Sequence, residues 1–173
     1  MTYAIVYDSR TGNTEQLARA VAEALPEEGR LAFGRVGEVD ASAAARADRL
    51  YAGFWTNRGD CTDEMAEVLA GFGGREVFLF GTAGFGADET YFAGVAARVA
   101  VHVPESVQVV GMFMCQGRMP RSVRDRYERT AEQNPAQAAR MGQLIENFDE
   151  AADHPGADDL ARLRDKVRSV PLG

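Results

Sequence analysis

Short apolar runs alternate with amphipathic stretches along most of the chain. The apolar runs predict five β-strands, over residues 3–7, 31–36, 49–54, 76–80 and 107–114. The stretches between and after them have apolar residues at helical spacing. Leu17, Val21 and Leu25, for example, are four residues apart. They predict helices over residues 13–25, 41–47, 62–70, 89–101, 121–133, 135–151 and 158–168.

Strands that alternate with helices predict right-handed βαβ units, and hence a parallel sheet with helices on both faces. Five strands of this kind suit one doubly wound α/β domain. Such sheets bind ligands outside the carboxyl ends of their strands, at the point where the strand order reverses. We therefore expect the ligand site in the loops after strands one, three and four.

Composition and charge narrow the classes of function. The chain has 173 residues, 46% of them hydrophobic, and a net charge of −7, which argues against nucleic acid and anionic membranes as partners. It has neither a long uninterrupted apolar run nor a basic and apolar leader at its start. We therefore expect no membrane span and no secretion, and a cytoplasmic location.

The reactive side chains predict no metal centre and no catalytic residue. Cys61 and Cys115 are too few for a disulfide framework or a metal cluster, so we expect free thiols in a reducing compartment. His102 and His154 stand apart from other candidate ligands, and we expect each to be solvated or packed. The chain shows no convincing Ser-His-Asp or Cys-His arrangement and no metal-ligand spacing.

The sequence SRTGNT, residues 9–14, lies between the first strand and the first helix. Its hydroxyls can donate to phosphate oxygens, and Gly12 permits a tight turn with close backbone approach. The free N–H groups and the dipole of the helix that begins at Asn13 favour an anion, so the single cation Arg10 is sufficient. The loop lacks the Gly-Lys-Ser/Thr ending of a P-loop. Ser, Thr and Asn also cap helices, but one cap needs only one of them, and their density favours a phosphate site.

The loops after strands three and four combine glycine with aromatic residues. FWTNRGDCTDE, residues 54–64, contains the only tryptophan, Trp55, and GTAGFGADETYF, residues 81–92, contains Phe85 and Tyr91. Each aromatic residue alone is typical of a core. Together, at the edge of the sheet where a ligand is expected, they predict a site for a flat aromatic ligand with a phosphate group.

These motifs resemble those of the flavodoxin family, from the first strand to about residue 150. SRTGNT is similar to the family's Thr/Ser-x-Thr-Gly-Asn-Thr phosphate loop. GFWTNRGD occupies the place of the loop at the flavin N5 edge, and GTAGFGAD resembles the loop with an aromatic residue against the isoalloxazine. The resemblance implies a flavodoxin-like five-stranded parallel sheet of order 2-1-3-4-5 with an extra C-terminal helix, and noncovalently bound FMN.

The resemblance also implies which residues bind FMN. They belong to the three loops and are Ser9, Arg10, Thr11, Gly12, Asn13, Thr14, Phe54, Trp55, Thr56, Asn57, Gly59, Thr82, Ala83, Gly84, Phe85 and Gly86. We expect Thr11 and Thr14 to bind the phosphate, Phe85 to stack on the ring, and Gly59 to adopt a positive φ beside N5. The predicted FMN-binding domain spans residues 1–152, and residues 153–173 form a helical extension packed on it.

The function that this implies is electron transfer on FMN between redox partner proteins, namely a reductase that donates electrons and a flavin or metal enzyme that accepts them. A further resemblance is to flavodoxins found beside flavin-dependent bilin or bilirubin reductases in gut anaerobes. Acidic residues flank the two flavin loops and would steer a basic partner; they are Asp60, Asp63, Glu64, Glu67, Asp88 and Glu89.

Two alternatives stay open. An FMN-dependent quinone or protoporphyrinogen oxidoreductase on the same fold would need a substrate pocket beside the ring, roofed by the arginine-rich residues 115–135. That stretch is otherwise typical of a solvated helix with internal pairing through Asp125 and Glu128. A receiver-type signalling domain would need an acidic pocket after strand one and an acceptor aspartate after strand three, but Asp8 stands alone and 54–55 is Phe-Trp.

Overall fold

The computed structural model describes residues 1–86 and 88–173. Its five strands run parallel and form one sheet in the order β2-β1-β3-β4-β5, which confirms the predicted fold class and strand order. The strands are β1 Tyr3–Tyr7, β2 Arg30–Arg35, β3 Arg49–Trp55, β4 Glu76–Ala83 and β5 Gln108–Gln116. β4 and β5 run past their predicted ends, because Thr82 and Ala83 pair with Cys115 and Gln116 although these residues extend no apolar pattern.

Seven α-helices connect and follow the strands in the described part of the chain. They are α1 Asn13–Ala24, α2 Ala41–Ala45, α3 Asp63–Ala70, α4 Glu89–Ala100, α5 Arg121–Gln133, α6 Ala138–Glu150 and α7 Ala157–Arg168. Short 3-10 helices at Pro135–Gln137 and Ala151–Asp153 flank α6. Every predicted helix is present, with small shifts at the ends. None of the described helices is long and apolar enough to cross a membrane.

The sheet is packed between two layers of helices. α1 and α7 cover one face, where Leu17 and Leu163 are buried against the sheet. α2, α3 and α4 cover the other face, where Met65 and Val95 are buried. β3 and β4 lie in the middle and are buried along nearly their whole length, as their continuous apolar runs predict.

α5 and α6 form a helical hairpin, residues 121–150, that contributes little to this core. α5 has no buried residue, and Met141 is the buried residue of α6. Arg124 pairs with Glu128 within α5, as the sequence predicts, and with Asp149 of α6. The hairpin therefore adds few fully buried residues to the core, and it follows β5 at the carboxyl edge of the sheet.

Candidate functional site

A cavity of about 770 Å³ opens at the carboxyl ends of β1, β3, β4 and β5. The strand order reverses between β1 and β3, and a doubly wound sheet binds its ligands at that point. Nine of the predicted residues line the cavity: Arg10, Thr11, Asn13, Trp55, Thr56, Gly59, Thr82, Gly84 and Phe85. The three predicted loops therefore meet around one space, whose volume suits a small-molecule ligand.

The loop after β1 presents unpartnered backbone amides. Gly12 is the N-cap of α1 and has φ +85°, a left-handed conformation that glycine adopts cheaply. Ser9 Oγ accepts a hydrogen bond from the Gly12 amide at 3.1 Å and closes the turn. Within the described chain, the amides of Thr11, Asn13 and Thr14 have no acceptor. With the dipole of α1, they form a site suited to an anion.

Two buried polar side chains join this loop to neighbouring strands. Asn13 Nδ2 donates to Thr11 Oγ1 at 3.0 Å and to the carbonyl of Arg118, after β5, at 2.8 Å. Its Oδ1 is buried without a hydrogen-bond partner among the described residues, so it can accept from a ligand hydroxyl. Thr14 is completely buried, and its hydroxyl lies 3.1 Å from that of Thr82 at the end of β4.

Trp55, at the end of β3, forms one wall of the cavity. Its indole N–H donates to Asp8 Oδ2 at 2.9 Å, and the Thr62 hydroxyl donates to the same oxygen at 2.8 Å. The Arg10 guanidinium lies 5.7 Å from the centre of the indole ring, within range of a cation–π interaction. These contacts hold the ring in one orientation at the edge of the cavity.

Residues 57–60 form a tight turn beside the cavity. The backbones of Asn57 and Asp60 exchange two hydrogen bonds, at 2.7 and 3.0 Å. Arg58 and Gly59 between them have φ +53° and +88°, which is the pattern of a type I′ turn. The positive φ expected at Gly59 is confirmed. Such turns favour asparagine, aspartate or glycine at both central positions, so the backbone at Arg58 is strained.

Asp60 links this turn to the segment after α4. His102 Nε2 lies 3.2 Å from both carboxylate oxygens of Asp60, and the Cys61 amide donates to Oδ1 at 2.8 Å. Burial opposes ionisation of Asp60, but the hydrogen bonds from Cys61 and His102 outweigh it and hold the pKa of the carboxyl below its usual value.

Asp60, Cys61 and His102 also bring three potential metal-ligand atoms within 4.8 Å of one another. Burial raises the pKa of the Cys61 thiol to about 12, which disfavours the thiolate that a metal requires. The absence of a metal site remains a prediction from the sequence. Cys61 and Cys115 are both buried free thiols, as expected.

The loop after β4 presents Phe85 to the cavity and to solvent. The Phe85 side chain is 50% exposed and meets Tyr91 edge-on, with 6.0 Å between ring centres. Asn147 of α6 fixes the backbone on both sides of it. Asn147 Nδ2 donates to the Gly84 carbonyl at 2.9 Å, and Oδ1 accepts from the Gly86 amide at 3.3 Å. The helical hairpin therefore holds the backbone that displays Phe85.

The segment after β5 forms a fourth wall, which lies outside the three loops predicted from the sequence. Its lining residues are Gly117, Arg118, Met119, Pro120, Ser122, Val123, Arg126 and Tyr127, and Arg58 and Tyr91 complete the cavity. A Cβ at Gly117 would lie 2.7 Å from Asn13 Nδ2, so glycine permits this close approach. Gly117 and Pro120, directly after the fifth strand, are the feature of the sequence that indicates a further loop at this edge of the sheet.

Seven of the predicted residues do not line the cavity: Ser9, Gly12, Thr14, Phe54, Asn57, Ala83 and Gly86. Phe54 is completely buried, and its side chain packs in the core on the face covered by α2, α3 and α4. It therefore presents no surface to the cavity. The other six belong to the three loops or to the residues that flank them. Two of these six, Gly12 and Gly86, have positive φ.

Residues 4–168 match a family model described as a flavodoxin domain. The chain belongs to the flavodoxin family. This confirms the resemblance that the loop motifs indicate, and it sets aside the receiver-type signalling domain.

Two relatives of this flavodoxin-family chain are flavodoxin-like domain-containing proteins named BilS. The BilS of Clostridium symbiosum (strain WAL-14163) is 41% identical over 185 residues, which cover 99% of this chain and 97% of the relative. The BilS of Clostridioides difficile (strain CD3) is 25% identical over 158 residues, which cover 90% and 88%. The similarity therefore extends over the whole domain and is not confined to the loop motifs.

Solved structures of a flavodoxin and of an oxidoreductase have the same fold. A flavodoxin of Streptococcus pneumoniae TIGR4 matches with a TM-score of 0.60 and 21% identity, over 98% of this chain and 97% of that one. The rubredoxin:oxygen oxidoreductase of Desulfovibrio gigas matches with a TM-score of 0.57 and 14% identity, over 98% of this chain and 35% of that one. At these identities the similarity establishes the fold alone.

Proposed function

We propose that this protein is an electron carrier that binds FMN noncovalently and passes electrons between redox partner proteins. The main support is the composition of the cavity, where unpartnered amides around Gly12 lie in the same space as the aromatic residues Trp55 and Phe85. A mononucleotide with a flat ring system has the two matching parts, a phosphate and an aromatic surface.

The residues present fit FMN. The loop after β1 would hold the phosphate through its amides, the Thr11 hydroxyl and Arg10. The buried Asn13 Oδ1 would accept a hydrogen bond from a ribityl hydroxyl and so gain the partner that it lacks among the described residues. Trp55 and Phe85 would contact the ring system. The sixteen residues predicted from the sequence stay our proposal for the binding site.

FMN, when bound, supplies the one- and two-electron chemistry. The chain binds and orients it and sets its reduction potential. No carboxylate is among the described residues that line the cavity, whereas Arg58 and Arg118 are. Positive charge stabilises a group that gains electrons, so we expect a less negative potential than an acidic cavity would give.

The proposed partners are a reductase that donates electrons and a flavin or metal enzyme that accepts them, and a bilin or bilirubin reductase is our candidate acceptor. We further propose a cytoplasmic location. We also propose that residues 1–152 form the FMN-binding domain and that residues 153–173 form an extension packed on it. Leu163 and Val167 of α7, in this extension, pack against the sheet face that α1 covers.

Reconstitution tests the proposal. We expect the purified protein to bind one equivalent of FMN in preference to FAD, with quenching of Trp55, the only tryptophan. We expect the reduced protein to pass electrons to a candidate bilin reductase. A protein that remains colourless and takes up neither flavin contradicts the proposal.

A second candidate function is that of an FMN-dependent oxidoreductase of the quinone or protoporphyrinogen type. The wall at residues 117–127 favours it, because Met119 and Tyr127 line the same cavity as Phe85 and could enclose a substrate. Sustained turnover of NAD(P)H with a quinone, in the absence of any partner protein, would identify an enzyme. A carrier gives no such turnover.

A further inference from the structure

Four arginines line the cavity, and we call them the arginine rim: Arg10, Arg58, Arg118 and Arg126. All four are exposed. None of them forms an ion pair with a carboxylate in the described part of the chain, and no described carboxylate lines the cavity. A protein with a net charge of −7 therefore has a locally positive cavity mouth.

Pairing differs between the arginines of α5: Arg126 and Arg129 have no ion pair among the described residues, and of these two only Arg126 lines the cavity. Arg121 and Arg124 each pair with a carboxylate four residues further along the helix, as solvated helices commonly do. Arg126 lines the cavity and has no carboxylate within ion-pair distance among the described residues; its guanidinium lies 5.5 Å from the ring centre of Tyr127 instead. The cavity face of α5 thus keeps its positive charge available.

Arg58 gives a second, independent indication. It has φ +53° in a type I′ turn, where the backbone favours asparagine, aspartate or glycine. A long charged side chain at such a position goes against the preference of the backbone. Strain of this kind is typical of positions whose side chain has a function.

The proposed cofactor accounts for only part of this charge. The phosphate site belongs to the loop after β1, which contains Arg10 and already has unpartnered amides for an anion. Arg58 lies after β3, and Arg118 and Arg126 lie after β5. In the described part of the chain these three arginines pair with no carboxylate, and they lie outside the proposed phosphate site.

We propose that Arg58, Arg118 and Arg126 dock an acidic surface of the redox partner against the mouth of the cavity. The proposal deepens the proposed function and rests on it for the identity of the partner as a redox protein. Phe85, half exposed between these segments, supplies an aromatic centre, and aromatic residues with arginines are typical of protein interfaces.

The docking surface differs from the one that the sequence predicts. The acidic residues around the flavin loops would steer a basic partner, and one of them, Asp60, already contacts His102. None of these acidic residues lines the cavity, whereas all four rim arginines do. The two surfaces therefore give opposite expectations for the charge of the partner.

Two haem proteins of opposite surface charge serve as probes, the acidic soluble domain of cytochrome b5 and the basic cytochrome c. Their affinities are measured by calorimetry at about 0.01 M ionic strength, where charges act over about 30 Å, and again at higher salt. The test variant is Arg118→Gln with Arg126→Gln. The control variant is Arg46→Gln with Arg140→Gln, which removes equal charge from exposed residues that do not line the cavity. Circular dichroism checks the fold of both variants.

We expect the protein to bind cytochrome b5, with an affinity that falls as salt is added and is about threefold to thirtyfold lower in the test variant. The control variant should change it by less than about twofold. Preference for cytochrome c, or equal losses in both variants, overturns the proposal. So does rim-dependent binding of citrate without binding of cytochrome b5, because the rim would then be a small-anion site.

The same titrations on protein with and without FMN separate the two proposals. Binding of cytochrome b5 by a protein that takes up no flavin supports the docking surface and contradicts the proposed function. Binding of FMN by a protein that ignores cytochrome b5 supports the cofactor site and contradicts the docking surface.

Discussion

The loop after β1 and the wall after β5 border the same cavity but are built in opposite ways. The loop depends on short-range backbone geometry, since Ser9 holds the Gly12 amide and Gly12 turns the chain into α1. The wall depends on contacts between distant parts of the sequence, such as Asn13 with Arg118. The loop therefore has a sequence signature of its own, whereas the wall exists only once the sheet has formed.

The two regions also differ in how they present charge. The loop offers backbone amides and hydroxyls, which bind an anion at short range and are fixed by α1. The wall offers exposed guanidinium groups on side chains such as Arg118 and Arg126, which act over longer distances and on an approaching surface. This comparison suggests that the loop anchors the cofactor and that the wall meets the partner.

The largest effect is expected from breaking the loop at Gly12. Gly12→Val forces a β-branched residue into φ +85°, at a cost of at least about 1–2 kcal/mol. We expect FMN to bind about tenfold to thirtyfold more weakly, with little change for riboflavin, which lacks the phosphate. Gly37→Val is the control, because Gly37 has φ +83° and the same open surroundings but lies after β2. Equal losses for FMN and riboflavin would contradict the role of the loop.

The sequence predicts the strands, the helices and the loop after β1 because each rests on a local pattern, whereas the strand order is implied by the resemblance to the flavodoxin family. The spacing of Leu17 and Val21 is a property of one helix, and Gly12 belongs to one turn. The wall could not be predicted in the same way. Asn147 contacts Gly84, 63 residues earlier, and nothing in the polar pattern of α6 distinguishes Asn147 from a solvated residue. The pairing states of Arg124 and Arg126 likewise become visible only in three dimensions.

The second-largest effect is expected where the helical hairpin supports the loop after β4. Asn147→Ala removes the hydrogen bonds to Gly84 and Gly86 and leaves partly buried backbone groups unsatisfied, at a cost of about 1–3 kcal/mol. We expect a lower free energy of unfolding in urea and an FMN affinity reduced about threefold to tenfold. Gln143→Ala, an exposed position of the same helix, is the control. An unchanged FMN affinity would show that the hairpin does not position Phe85.

A smaller effect is expected at Phe85 itself, where the two regions meet. Phe85→Ala removes an exposed ring that contacts Tyr91, and aromatic pairs contribute about 0.5–1.5 kcal/mol beyond burial. We expect FMN and riboflavin to bind about twofold to tenfold more weakly, to the same degree, because the ring contact does not involve the phosphate. Phe33→Ala is the control, because Phe33 is also an exposed phenylalanine but lies on β2. A loss confined to FMN would place Phe85 near the phosphate and not near the ring.

The smallest effect concerns the turn at residues 57–60, which combines local geometry with one distant contact, Asp60 with His102. The pKa of Asp60 is lower in the folded protein than its usual value, so its contribution to stability is fully present above the unfolded pKa of about 3.9. That contribution is lost as the pH falls through the folded pKa. Because the Asp60 side chain is 38% exposed, we expect only about 0.2–1 kcal/mol.

Asp60→Asn should therefore lower the free energy of unfolding at pH 7, and the difference from the wild type should close as the pH falls below about 4. Urea unfolding over a series of pH values measures it, and Asp153→Asn, an exposed residue without an ion pair in the described chain, controls for the loss of one negative charge. A difference that persists or widens at low pH would mean that the amide disturbs the turn by itself. A difference that closes shows that the ionised carboxylate is what joins the turn beside the cavity to the segment after α4, as the wall is joined to the loop by Asn13.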